Sequence, residues 1–410
     1  MPVLATWDRR GGHITRSMVF VPEPLYVEPS HLAPGLAVRS AARFGRAVRA
    51  YEGPTMSAVH PRISVVMPVY NNERYLRTAI ESVLSQTFGD FEFIVISESD
   101  TSSESRSIID SYPDGRIIHV RNESRLGMIE SLNVGLSLAK GEFIARMDAD
   151  DVCLPNRFAL QFEYLSRHPD VGIVGSSCRI VDDSGSTVSI DMRPGKAVVC
   201  RWMSLFGPPL SHPSAMARTQ VIRQIGGYDP SVICEDYNLW VRALEVTKIE
   251  NMPEILLVRR VHDKSSTLLQ QERVDCTHIG LSQRILASLL KRDVDVETVR
   301  LLKGDERGIE SGSDAQRITG LLRELFEAFL KRYGVSPSDA RMVRAEVAWR
   351  MCKIGVNVAK KEPLAGVRIL LAGLRFGRFS FPHIARKAAR RMATKRKTKT
   401  DIGVSANQTG

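Results

Sequence analysis

The densest chemistry in the sequence lies at Arg146-Met147-Asp148-Ala149-Asp150-Asp151, where three carboxylates fall within four residues. Carboxylates this close repel one another strongly unless a cation sits among them. A hard divalent ion such as Mg2+ or Mn2+ takes oxygen ligands, often one or two carboxylates plus substrate phosphates. The cluster directly follows Glu142 to Met147 (EFIARM), which reads as a buried strand. Open α/β sheets bind ligands at such carboxyl ends. From these residues alone two readings stay open. One is a diphosphate-metal site; the other is an exposed acidic turn, or an Asp capping the helix that starts near Pro155. The sequence holds no GxxxxGK[ST] loop and no GxGxxG after a strand. P-loop and dinucleotide-binding readings lose support accordingly.

Elements that would position the acids follow from apolar spacing. Ile63 to Val69 (ISVVMPV) is a continuous apolar, β-rich run, as expected of a strand covered on both faces. Tyr75, Leu76, Ala79, Ile80, Val83 and Leu84 then share one helical face. Strands are expected at Phe91 to Ile96 and Ile117 to Val120. A helix over Met128 to Lys140 turns Ile129, Leu132, Leu136 and Ala139 inward, with Gly141 as its stop. This alternation predicts an α/β fold with βαβ units and a parallel sheet. The loops after Val69, Ile96 and Met147 should therefore line one site. Beyond about Thr267 long helical patterns take over, as in Ile318 to Tyr333 and Ala340 to Val358, and predict a separate C-terminal helical region.

The chain has 410 residues, enough for two or three domains. With 43% hydrophobic and 25% charged residues it is neither wholly disordered nor collagen-like. The best apolar run, Leu364 to Leu374, is short and carries Arg368, so no transmembrane helix is expected. Lys and Arg number 57 against 46 Asp and Glu, for a net charge of +11. Arg386 to Lys399 holds eight basic residues, and the first 60 residues hold seven Arg. Such flanks favour an anionic partner, a membrane surface or a nucleic acid. The expected organisation is a flexible extension over 1–60, a catalytic domain over 61–268, a helical region over 269–385 and a basic tail over 386–410. Leu36 to Tyr51 alone in the extension could pattern as a basic amphipathic helix. Six cysteines without a CxxC pair suggest free thiols in a reducing cytosol. No charged-then-apolar signal opens the chain, so a cytoplasmic location is expected.

The stretches ISVVMPVYNNERYLRTAIESVLSQTFGDFEFIVIS and LNVGLSLAKGEFIARMDADDVCLPNRFALQ occur in that order. PPLSHPSAMAR, IGGYD and EDYNLWVR follow. Together they resemble the family 2 glycosyltransferases of the GT-A fold, over about residues 62–267. Bacterial members of this kind often build surface polysaccharides or decorate lipid-linked acceptors. The resemblance implies an inverting, metal-dependent transfer from a nucleoside-diphosphate sugar, of the UDP-sugar class, to a hydroxyl of a saccharide or lipid-linked acceptor. It implies that Pro68, Val69 and Tyr70 meet the nucleobase, and that Asp148 serves nucleotide and metal. Asp150 becomes the direct ligand of Mn2+ or Mg2+, and Asp236 the catalytic base. Glu235, His212 and Trp240 fall on the acceptor side, and His262 near metal or diphosphate. Plainer roles stand beside these: core packing for Trp240, a salt bridge for Arg242, a structural histidine at His212. Arg125, before the helix-opening Gly127, faces either a phosphate or a surface salt bridge. One departure is Ser97-Glu98-Ser99-Asp100, where the family usually has two Asp and a Gly. Glu98 takes the second acidic position and is the expected nucleoside contact, with Asp100 as the weaker one.

Two other classes compete. A catalytically inert protein of this fold would use its basic termini to bind membrane or nucleic acid. Nucleic acid is disfavoured, since no aromatics interleave with the basic tail. A nucleotidyltransferase would carry a Gly-rich basic loop after its first strand, and Pro68 to Arg77 does not read that way. For the membrane, Val367, Leu370, Leu371, Leu374 and Phe376, with Arg368, Arg375 and Arg378, would lie along a bilayer at the inner face of the plasma membrane. The alternative is a terminal helix packed on the protein.

Overall fold

In the computed structural model the apolar runs become strands of one sheet; residues 48–49, 60–193, 195–262, 271–304, 309 and 311–377 are described. In chain order the first elements are β1 (Val48–Arg49), β2 (Ile63–Val69), α1 (Glu73–Leu84), β3 (Phe91–Ser97), α2 (Ser103–Asp110), β4 (Ile117–Asn122), α3 (Met128–Leu138) and β5 (Phe143–Arg146). Then come β6 (Val152–Cys153), α4 (Arg157–Arg167), β7 (Val171–Val181), β8 (Thr187–Asp191), α5 (Ala197–Met203), a 3-10 turn (His212–Ser214), β9 (Met216–Arg218), α6 (Thr219–Gln224), α7 (Glu235–Leu244) and β10 (Lys248–Arg260). The helical region comprises α8 (Gln271–Leu290), α9 (Val296–Lys303), α10 (Gly312–Tyr333), α11 (Pro337–Val358) and α12 (Pro363–Phe376).

The strand order is β1-β4-β3-β2-β5-β9-β7-β10-β6, with β8 on β7. Strands β4, β3, β2 and β5 run parallel, in register Pro68 to Ile96 and Val66 to Arg146. Their carboxyl ends therefore lie along one edge of the sheet, with β5 ending opposite Val66 while β2 and β3 run on to Val69 and Ser97. Beyond β5 the sheet is mixed: β9 is antiparallel to β5 and β7, while β10 runs parallel to β7. The mostly parallel sheet expected of a GT-A fold is what the chain forms, its antiparallel part lying where the short β9 turns the chain direction. Apolar layers cover both faces of the strands. Val65, Met67 and Phe93 pack with Leu76, Ile80 and Phe158, while Val66, Ile94 and Ile96 pack with Leu132, Leu239 and Trp240. That two-sided burial is why β2 and β3 read as unbroken apolar runs.

Several expectations change in detail. Val48–Arg49 is a strand pairing antiparallel with β4, not the end of a helix over Leu36 to Tyr51. The rest of the 1–60 extension up to residue 59, like the basic tail 386–410 and Arg378, lies outside the described residues. Gly141 is not a helix stop: α3 ends at Leu138 with Ala139 extended. Its need is space, since a Cβ there would sit 2.5 Å from the Ser64 backbone nitrogen. The helical region is not a separate body. Trp202, Leu205 and Phe206 share one apolar cluster with Ile279, Phe326 and Phe329, and Trp202 meets Phe329 edge-on at 5.3 Å. On α12, Phe376 packs on Phe326, while Leu364, Val367 and Leu371 stay exposed. The six cysteines form no disulfide, and among the described residues no helix is long and apolar enough to cross a membrane.

Candidate active site

The loop leaving β5 carries Asp148, Asp150 and Asp151, each offering an oxygen within 4.8 Å of the others. Two buried arginines hold this loop from below. Arg146 pairs with Asp148 at 2.6 Å. Arg157 donates to the Arg146 and Ala215 carbonyls at 2.9 and 3.1 Å, with no carboxylate among these contacts. Burial disfavours the Arg146 charge, but Asp148, Tyr228 and Glu235 around it more than restore it. Asp150 accepts from or donates to His262 across 3.0 Å, and burial followed by the Asp148 charge pushes its carboxyl up. Asp151 is fully buried; its Oδ1 accepts from the Arg260 N–H at 2.9 Å, and its Oδ2 has no partner. Burial, then Asp148 and Asp150, drive the Asp151 carboxyl well above the usual range. An orphaned buried carboxylate oxygen among mutually repelling acids is costly without a cation. This all-oxygen donor set fits a hard divalent ion.

The second acidic pair opens α7, where negative side chains are favoured by the helix dipole. Burial and then the Asp236 charge push the Glu235 carboxyl up to about 8. Burial also raises Asp236, but the His278 charge opposes it. Of this coupled pair, Glu235 is the member pushed furthest towards its protonated form at neutral pH. The Asp236 carboxylate accepts from the Tyr237 N–H at 2.6 Å. His212 stands between the acids and the core: its Nδ1 lies 3.7 Å from Glu235 and its Nε2 2.7 Å from the Tyr228 hydroxyl. Burial, then Arg146, lowers the His212 proton affinity far below normal, so the ring is neutral and Glu235 gains no ion pair from it.

Tyr228 is presented by the IGGYD turn. Gly226 and Gly227 both adopt positive φ, 77° and 70°, which side chains resist. Asn133 brackets Tyr228 with two backbone hydrogen bonds of 3.0 and 2.9 Å. Arg242 donates to the Gly227 carbonyl at 2.6 Å and also binds the Ile225 carbonyl. These bonds make Arg242 a carbonyl clamp rather than the salt bridge its sequence position suggests. Trp240 is buried and meets His212 edge-on at 5.8 Å.

Across the carboxyl ends of β2 and β3, Val69 is buried and Tyr70 exposed. The Tyr70 hydroxyl reaches Asp100 at 3.3 Å; Arg125 pairs with Asp100 at 3.2 Å and covers the Tyr70 ring at 4.6 Å. Arg125 thus makes the surface ion pair. Glu98 is buried, and its oxygens accept from the Ser131 hydroxyl at 2.7 Å, the Leu126 N–H at 2.8 Å and the Asn122 amide at 3.3 Å. That carboxylate faces the loop before α3. Pro68 is half-buried between these elements.

The structure brings Asp148, Asp150 and His262 together on one side and Glu235, Asp236, His212 and Trp240 on the other, with Arg146 between them. Sequence reasoning missed Arg146, Arg157 and Tyr228 as supports. Arg157 and Tyr228 have carbonyls and distant side chains as partners, for which one-dimensional spacing holds no signal, whereas the Arg146–Asp148 pair is only two residues apart. His278 and Lys303, behind Asp236, were also missed; each is a single polar residue in a helical pattern.

Residues 64–223 match the family described as Glycosyl transferase family 2. Among solved structures, Staphylococcus aureus TarS 1–349 in complex with UDP-GlcNAc aligns with a TM-score of 0.47 and 15% identity, over 78% of this chain and 92% of that one. An uncharacterized glycosyltransferase of Methanocaldococcus jannaschii is 33% identical over 215 residues, which are 51% of this chain and 73% of the relative. The O-antigen biosynthesis glycosyltransferase WbnJ of Escherichia coli is 31% identical over 227 residues, 54% of this chain and 88% of that protein. With relatives above 30% identity matched over most of their own length, the chain belongs to glycosyl transferase family 2 and is a glycosyltransferase.

Proposed function

We propose an inverting, metal-dependent transfer of a sugar from a UDP-sugar to a hydroxyl of a saccharide or lipid-linked acceptor, in surface polysaccharide biosynthesis. The observation that carries the reading is the acidic triad at the end of β5, with the Glu235-Asp236 pair reached through Arg146. Asp148, Asp150 and Asp151 would hold Mn2+ or Mg2+, with His262 beside Asp150; the ion would supply positive charge to a departing diphosphate. Pro68, Val69 and Tyr70 receive the nucleobase. Glu98 contributes by fixing the Asn122–Leu126 loop, and Asp100 is the exposed acid beside Tyr70. Asp236 accepts the proton of the attacking acceptor hydroxyl. Protonated Glu235, with His212 and Trp240 behind it, keeps a second negative charge off the acceptor side. An acceptor-binding role for this group rests on its position beside Asp236.

Thermal shift with UDP, GDP and CDP, with and without Mn2+, tests this reading. A ligand at 100 times its dissociation constant stabilises by about 2.7 kcal/mol. UDP with Mn2+ is expected to give the largest rise. Silence towards every nucleotide would sink the transferase reading in favour of an inert binding protein.

Exposed Leu364, Val367 and Leu371 recur at helical spacing on α12, beside exposed Lys360, Lys361, Arg368 and Arg375. This apolar, cationic face suits the surface of an anionic bilayer, where each basic residue contributes about 1 kcal/mol. The full chain is expected to co-sediment with phosphatidylglycerol vesicles, and an L364D/V367D/L371D chain much less. Equal binding by both would exclude the face as an anchor.

A further inference from the structure

We propose that His278, on α8 of the helical region, is a positioning residue for Asp236, so that the helical region completes the catalytic centre. The inference rests on Asp236 as the base.

The geometry begins with the face of α8. His278, Leu281, Ser282 and Ile285 follow one another at helical spacing, three, one and three residues apart. Leu281 and Ile285 pack on Cys234, Tyr237 and Val241. The Ser282 hydroxyl lies 3.0 Å from that of Tyr237, which also donates to the Ser204 carbonyl at 2.6 Å. The His278 ring meets the Tyr237 ring edge-on at 5.3 Å. From α9, Lys303 stands 5.8 Å over the same ring and donates to the Phe206 carbonyl at 2.6 Å. Tyr237 is thus held by α8 and α9, and its N–H in turn holds the Asp236 carboxylate. The residue that fixes the base is itself fixed from outside the sheet domain.

Charge points the same way. A half-buried carboxylate must stay ionised to accept a proton, and burial opposes that. His278 exerts the strongest favourable charge on Asp236, with lesser help from Arg193 and Arg146 and with Glu235 beside it. Burial lowers the proton affinity of His278, Asp236 and Asp275 raise it, and Lys303 lowers it. Removing His278 therefore leaves Asp236 protonated to a higher pH, and removing the Asp236 charge makes His278 release its proton at a lower pH.

Both halves can be measured on the full chain. Histidine-labelled protein is titrated by NMR as wild type and as Asp236→Asn, with the His278 signal assigned from its loss in His278→Phe. Mn2+-dependent hydrolysis of UDP-sugars is followed against pH for wild type, His278→Gln and His278→Phe. We expect His278 to titrate lower in Asp236→Asn. We expect the acid limb of kcat to move up by about one pH unit in both His278 variants, the scale of a lost neighbouring charge, with donor KM unchanged. Unchanged His278 titration, or an acid limb that stays in place, overturns the proposal. Should no UDP-sugar be hydrolysed even by wild type, the donor assignment fails, and the NMR titration still decides whether His278 and Asp236 are coupled.

Discussion

Asp236→Asn is expected to lose about two to four powers of ten in turnover, the range for a lost general base, with donor KM held. Asn keeps the shape and the acceptor oxygen for the Tyr237 N–H, so the helix start should persist. What it lacks is a site for the acceptor's proton. The neighbouring change gives the contrast. Glu235 already carries a proton at neutral pH, its carboxyl raised to about 8, so Glu235→Gln replaces one neutral group by another and should cost far less. Single-turnover transfer at saturating donor measures both. Near-native transfer by Asp236→Asn, or equal losses in the two variants, would remove Asp236 from the role of base.

Asp150→Ala should abolish the response to Mn2+ in thermal shift with UDP. It should also slow transfer on the order of a thousandfold, about 4 kcal/mol of lost charge stabilisation. The same change is expected to leave the metal-free protein as stable as wild type or more so. Burial and mutual repulsion raise Asp150 and Asp151 together, and deleting one relieves the other. A binding defect coupled with unimpaired folding is the signature of a ligand rather than a structural acid. A variant that still answers to Mn2+ as wild type does would contradict the assignment.

Features whose causes are local were legible in the sequence. Ile63–Val69 is a strand to the residue because both its faces are covered, and the three acids of the β5 loop needed no folding to be seen as a cluster. The long strands β7 and β10 were passed over, since polar residues within them, such as Arg179 and Glu254, break the apolar run. Glu98 was legible as an acid following β3, but not its engagement by Ser131 and Leu126, which lie some thirty residues away. Arg157 and Arg242 act on carbonyls exposed only by the bends of the chain. His278 reaches Asp236 by tertiary packing between α8 and α7, for which spacing offers no hint.

Trp202 and Phe206, both contributed by the stretch just before the His212 turn, are seated among side chains of α8 and α10. A chimera spliced at residue 268, to graft a new acceptor preference onto this sheet, would bisect a single interior and leave large aromatic rings facing water on one half. Exchange of specificity in such a lineage must therefore carry Ala197–Phe206 along with the helices, or proceed by point changes within them.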